Sequence, residues 1–126
     1  VIMSLTGNVG RVCLVYGDDY VLNQRVVKLS AKELIDQSFI YALLRDKQML
    51  TILENLSNGT AQQNLSPIKM GEELPIRYPS SNLRKDFDRK VSPMIKMICK
   101  LNIQNTKLRE ARDILLPKLM NGQIEV

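Results

Sequence analysis

The 126-residue chain has no histidine and no tryptophan. Without His there is no imidazole general base, no Ser-His or Cys-His nucleophile pair, and most zinc sites are excluded. Cysteine is nearly absent too. Cys13 and Cys99 stand far apart, each inside an apolar run, and are expected to be small buried hydrophobes in a reducing compartment rather than a disulfide. No apolar run approaches the roughly 20 residues needed to span a bilayer, and no basic segment of a secretory signal leads the chain. It opens on Val1 rather than Met, and is expected to be part of something longer.

Phosphate-loop chemistry is missing, because no glycine run precedes Lys-Ser or Lys-Thr. Gly7-Asn8-Val9-Gly10 reads as a tight turn. Asp18-Asp19 and Glu72-Glu73 are adjacent carboxylates. Neighbours on a strand point to opposite faces, so neither pair is a ready acid/base dyad or metal clamp. Cys13 has no basic neighbour in sequence to activate its thiol. Together these absences lead us to expect a non-catalytic chain with no metal or cofactor of its own.

What is present is ordinary for a globular chain: 44% hydrophobic and 25% charged residues. The net charge of +5 is unevenly placed. Residues 1–79 carry eight basic and eight acidic side chains, whereas residues 80–126 carry ten basic and five acidic. Such a tail suits nucleic acid or an acidic partner, or is simply a solvated helix face.

Val12-Cys13-Leu14-Val15-Tyr16 and Tyr20 to Leu29 are β-prone runs around Gly17-Asp18-Asp19, which predicts a hairpin or two adjacent strands. Ser30-Ala31-Lys32-Glu33 has capping-box spacing. Phe39, Ile40, Leu43 and Leu44, then Met49, Leu50, Leu53 and Leu56, keep helical spacing and predict helices over about 36–46 and 48–56, stopped at Asn58-Gly59. Beyond Ile68-Lys69-Met70, the prolines of Leu74-Pro75-Ile76-Arg77-Tyr78-Pro79 suggest an edge strand.

From Ser81 the pattern changes. Val91, Ile98, Asn105, Arg112 and Leu119 lie seven apart, and Met94, Leu101, Leu108 and Leu115 each follow by three, with Phe87 one heptad ahead. This a/d repeat is the mark of a coiled-coil seam. Ser92-Pro93 predicts a kink or restart, followed by a helix over 93–116, roughly 36 Å long, that projects to meet another. Asn23-Gln24-Arg25 and Thr60, Gln62, Gln63 and Asn64 gather amide and guanidinium groups in polar segments. Such groups can bond adenine and guanine edges, although ordinary turn chemistry also accounts for them.

The ending Leu108-Arg109-Glu110-Ala111-Arg112-Asp113-Ile114-Leu115-Leu116-Pro117-Lys118-Leu119-Met120-Asn121-Gly122 closely resembles the close of type I restriction enzyme specificity subunits. Phe87, Val91, Pro93 and Ile95 resemble the start of the family's conserved helix. Ser4 to Arg11, Leu22 to Arg25, Ser38 to Tyr41 and Asn58 to Leu65 resemble parts of its target recognition domain.

The resemblance implies an α/β (α+β) fold: residues 1–80 as the later part of a recognition domain, and residues 81–126 as a coiled-coil helix with its tail. It implies sequence-specific DNA recognition, with Arg11, Asn23, Gln24, Arg25, Thr60, Gln62, Gln63 and Asn64 as candidate contacts. The seam Phe87, Val91, Met94, Ile98, Leu101, Asn105, Leu108, Arg112 and Leu115 would pair with another long helix of the same subunit or of a second copy. Methyltransferase and restriction subunits are the implied protein partners, S-adenosylmethionine, ATP and Mg the cofactors of those subunits, and the prokaryotic cytoplasm the location. The alternative is a non-catalytic interaction protein that oligomerises through its heptad helix.

Overall fold

The structure is a computed structural model and describes residues 1–17, 20–58 and 63–124. It is α+β, as expected: a small antiparallel sheet and three short helices, followed by a long one. Strand β1 (Ile2–Ser4) lies between β2 (Val12–Cys13) and β3 (Val26–Lys28), in the order β2-β1-β3. Met3 pairs with Val12 on one side and Val27 on the other. The expected β2–β3 adjacency is therefore wrong, because both strands bond to β1 instead. Residues 2–4 supply that central strand, paired on both edges, with Met3 and the following Leu5 buried beneath. Asp18 and Asp19, the expected turn, lie outside the described residues.

Cys13 also departs from expectation. On edge strand β2 Val12 packs inward, so Cys13 points out and is exposed, while Cys99 is half-buried; neither forms a disulfide.

A 3-10 turn at Leu34–Asp36 leads into α1 (Gln37–Leu44) and then α2 (Lys47–Leu56). The capping box at Ser30 does not form. Gln37 works backwards instead, accepting from Ala31 N–H at 2.9 Å and donating to the Leu29 carbonyl at 3.3 Å. The effective cap lies one helix later, where the Asp46 carboxylate accepts from Gln48 and Met49 N–H at 2.9 and 3.2 Å. Helix α2 stops at Ser57, in extended conformation; Gly59 of the expected stop lies outside the described residues.

Ser66 and Pro67 then start α3 (Pro67–Glu73), with the Ser66 hydroxyl accepting from Lys69 N–H. This helix takes up Ile68-Lys69-Met70. No edge strand follows over 74–79, a stretch that runs to the last helix without joining the sheet. Its two prolines lack the N–H that strand pairing requires.

Met3, Leu5, Val9, Leu44, Met49, Leu53 and Leu65 form the core. Gly10 lets α2 come close: its φ is +77°, and a Cβ there would sit 3.0 Å from Leu50 Cδ1 and 3.2 Å from Leu53 Cβ.

Helix α4 (Ser81–Met120) spans 40 residues, about 60 Å. It starts eleven residues before Ser92 and runs through Pro93, so the sequence-predicted restart is absent. The ring removes the N–H that would reach the Arg89 carbonyl and crowds that carbonyl, while the first turns are anchored on α1. Phe87 meets Phe39 edge-to-face at 6.3 Å, and Ser38 Oγ donates to Asp88 at 2.7 Å. Residues 103–124 are exposed throughout. The helix ends in paired bonds, from Gln123 N–H to the Lys118 carbonyl at 2.9 Å and from Gly122 N–H to the Leu119 carbonyl at 3.2 Å, with Gly122 at φ +67°. This is the glycine-terminated helix stop, and it gives the Met120-Asn121-Gly122 ending a physical reason. Among the described residues no helix is long and apolar enough to cross a membrane.

Candidate nucleic-acid interface

Beyond β1 the chain continues in extended form and gathers two distant segments. Leu5 N–H donates to the Arg25 carbonyl at 2.8 Å, Leu65 N–H to the Leu5 carbonyl at 2.8 Å, and Gly7 N–H to the Gln63 carbonyl at 3.1 Å. Leu5 and Leu65 turn into the core. Alternation along an extended chain therefore turns their neighbours Thr6 and Asn64 the other way. Asn64 is held further by a mutual backbone pair with Asn58, at 2.8 and 2.9 Å.

Gln24 and Arg25 arrive from an Asn-initiated turn, in which Arg25 N–H donates to Asn23 Oδ1 at 2.9 Å and Val26 N–H to the Asn23 carbonyl at 3.3 Å. Thr6, Gln24, Arg25 and Asn64 together line one open concavity of about 490 Å³. Two amides, a hydroxyl and a guanidinium make a lining that can both donate to and accept from base edges.

Three of the sequence candidates thus come together: Gln24, Arg25 and Asn64. Asn23 is spent on its own turn. Gln63 is half-buried, with its carbonyl bonded to Gly7. Thr60 and Gln62 lie outside the described residues. Arg11 sits apart, lining a second depression with Arg45. Thr6 and Arg45 were not singled out from sequence. Thr6 was hidden inside a glycine turn, while the Tyr41-to-Arg45 spacing of four was a usable sign of a paired guanidinium. No three His, Cys, Asp or Glu side chains gather around a possible metal position among the described residues.

The evenly balanced charge of residues 1–79 conceals a local segregation. Asp36 is engaged by Arg84 of α4, and Asp46 caps α2. Arg11, Arg25 and Arg45 make no ion pair among the described residues. The concave surfaces are accordingly more basic than the composition suggests.

Arg84 fixes the long helix to this body. It is buried, donates to Asp36, to Tyr78 Oη at 2.6 Å and to the Pro79 carbonyl at 3.2 Å, and lies 4.2 Å over the Tyr78 ring. Glu33 approaches at 3.8 Å from solvent. The Tyr78 hydroxyl also donates to Asp36. That bond is the leading reason the Asp36 carboxyl is held below its ordinary value, with Arg84 adding to it against the opposing effect of burial. The same bond raises the Tyr78 hydroxyl, and Asp36 raises Arg84.

A depressed carboxyl contributes stability that is complete above its unfolded value of 3.8 and is lost as pH falls through the folded one. Tyr78→Phe keeps the ring but removes the main cause of the depression. Thermal melts of wild type and Tyr78→Phe, taken between pH 2 and 7, should therefore converge towards the acid end, because the variant has less of this stability to lose. A constant gap down to pH 2 would show that the bond does not act through Asp36.

The seam is placed unevenly. Phe87 and Val91 are half-buried at the root of α4, whereas Met94, Ile98, Leu101, Asn105, Leu108, Arg112 and Leu115 are exposed. The Arg112 guanidinium bonds the neighbouring Asp113 carboxylate at 2.6 and 2.8 Å.

Comparison with known proteins agrees with this architecture. The model of the type I restriction modification DNA specificity domain matches residues 1–106. The type I restriction enzyme HindI specificity subunit of Haemophilus influenzae is 32% identical over 103 residues, covering 81% of this chain and 22% of that relative. The chain thus spans about a fifth of the relative's length. No solved structure matches. The Leu108–Val126 ending lies beyond the family match, so the assignment rests on the α+β body and the first two-thirds of α4. On that match the chain belongs to the type I restriction modification DNA specificity domain family.

Proposed function

We propose that this chain reads DNA sequence as part of the specificity subunit of a type I restriction-modification complex in the prokaryotic cytoplasm, without catalysis of its own. The observation that carries the reading is the concavity lined by Thr6, Gln24, Arg25 and Asn64, which joins three chain segments into one polar surface. Family membership supports DNA as the ligand. The exposed apolar row of α4 supports pairing with another long helix and docking of methyltransferase subunits, with restriction subunits joining the complex. S-adenosylmethionine, ATP and Mg would be held by those partners.

The chain alone should bind duplex DNA weakly and without sequence preference, since so few base contacts are available. In the assembled complex, Gln24→Ala, Arg25→Ala and Asn64→Ala should each relax the methylated sequence at one base position, by about 1–3 kcal/mol of discrimination, and leave thermal stability nearly unchanged. Methylation-site mapping in cells carrying each variant reads this directly. An unaltered methylated sequence in all three would remove the concavity as the reader. Self-association through α4 with no sequence-dependent DNA binding in the complex would instead favour a plain oligomerisation module.

A further inference from the structure

We propose that Arg11 and Arg45 form a clamp for a DNA backbone phosphate, distinct from the base-reading concavity; the proposal rests on the DNA-recognition reading. Arg11 follows the β1–β2 turn and Arg45 caps the C-terminus of α1. Although 34 positions apart in sequence, both line one depression of about 230 Å³ over Val12, Leu44 and Leu50.

Two like charges share this small, partly apolar hollow, and neither forms an ion pair among the described residues. The carboxylate next in sequence, Asp46, is turned away to cap α2. Such an arrangement is unfavourable until an anion enters, and the apolar floor strengthens the attraction when one does. Arg45 is already oriented: it donates to the Tyr41 hydroxyl at 2.7 Å and lies 5.5 Å over that ring. Its remaining donors are in the forked geometry that suits a phosphate oxyanion.

Register links the clamp to the reader. Ser4 N–H donates to the Arg11 carbonyl and Leu5 N–H to the Arg25 carbonyl. The two arginines therefore flank the central strand at the same end, about 10 Å apart at the backbone, two strand spacings.

The test is the salt dependence of duplex binding by the 126-residue chain, followed by fluorescence anisotropy between 50 and 200 mM salt. Each phosphate contact contributes about 0.9 to the slope of log K against log salt. Arg11→Gln with Arg45→Gln should remove that one contact and lower the slope by about 0.9, so that the variant loses roughly three- to fourfold less affinity across this range than wild type. Arg11→Lys with Arg45→Lys, which keeps the charge, should retain the slope. Arg109→Gln with Lys118→Gln removes two charges from the far part of α4 and should also retain it.

Wild type showing no salt-dependent duplex binding would overturn the DNA reading and the clamp together. A steep wild-type slope left unchanged by the Arg-to-Gln pair, or lowered equally by the α4 pair, would overturn the clamp alone. Inorganic phosphate binding to wild type but not to the Arg-to-Gln pair, with the DNA slope unchanged, would assign the hollow to a free anion and likewise overturn the clamp.

Discussion

Leu101→Ala should weaken the proposed pairing of α4 with another long helix by about 2–5 kcal/mol, the cost of truncating a leucine buried in a helix interface. Leu101 sits mid-seam, between Ile98 and Leu108, and is 50% exposed in this chain. Leu108 and Leu115, one and two heptads on, are 68% and 46% exposed. A helix that holds out leucines at this spacing, far from its own core, leaves apolar area that a facing helix can cover. Asn105 lies on the same row. Its amide tolerates a polar partner and penalises apolar ones, so Asn105→Leu should raise pair stability while loosening partner choice. Thermal melting and pull-down of the helix partner test both variants. Unchanged melting and unchanged association for Leu101→Ala would show that this row is not the seam.

The helices were legible in the sequence because their signals are local and repeat. Phe39 to Leu44 and Met49 to Leu56 keep one period each, and the observed α1 and α2 start and end within two residues of expectation. Helix α4 runs through Pro93 while its first turns are held to the body by Phe87, Asp88 and Arg84 upstream.

The sheet was not legible for the opposite reason. β1 has three residues, and its two partners lie about ten and twenty-five positions away. The local Gly17-Asp18-Asp19 signal pointed to a pairing that the chain does not make. Ser66-Pro67 was a plain helix start, obscured by the strand-like Leu74-Pro75-Ile76 beyond it.

The candidate site was half legible. Amide and guanidinium types in polar turns marked Gln24, Arg25 and Asn64. That they share a surface follows only from Leu5 bonding to Arg25 and Leu65 at once, a long-range arrangement. The Arg84–Asp36 pair, 48 residues apart, is equally silent in sequence, where Arg84 is one of ten basic residues in a basic segment. The same pair helps explain why the body could look neutral and still carry unpaired arginines, since one of its carboxylates is spent on a cation from α4.

Leu53→Ala should destabilise the body by about 2–5 kcal/mol, a large share of the 5–15 kcal/mol typical of a domain. Leu53 is fully buried, and its side chain lies against Gly10. It shares the core with Leu5 and Leu65, the residues that set Thr6 and Asn64 at the surface. Loss of that packing should therefore disperse the concavity and abolish the proposed DNA recognition without touching any of the proposed reader residues. The distal half of α4 is exposed and should persist when its seam is covered. The chain supplies its own reporters: all four tyrosines lie before α4 and there is no tryptophan. Tyrosine fluorescence then follows the body alone, while far-ultraviolet circular dichroism follows mostly α4. In urea, with the helix partner present, Leu53→Ala should move the fluorescence midpoint well below the dichroism midpoint. Coincident midpoints, both lowered equally, would mean that the Arg84 junction welds body and helix into one cooperative unit.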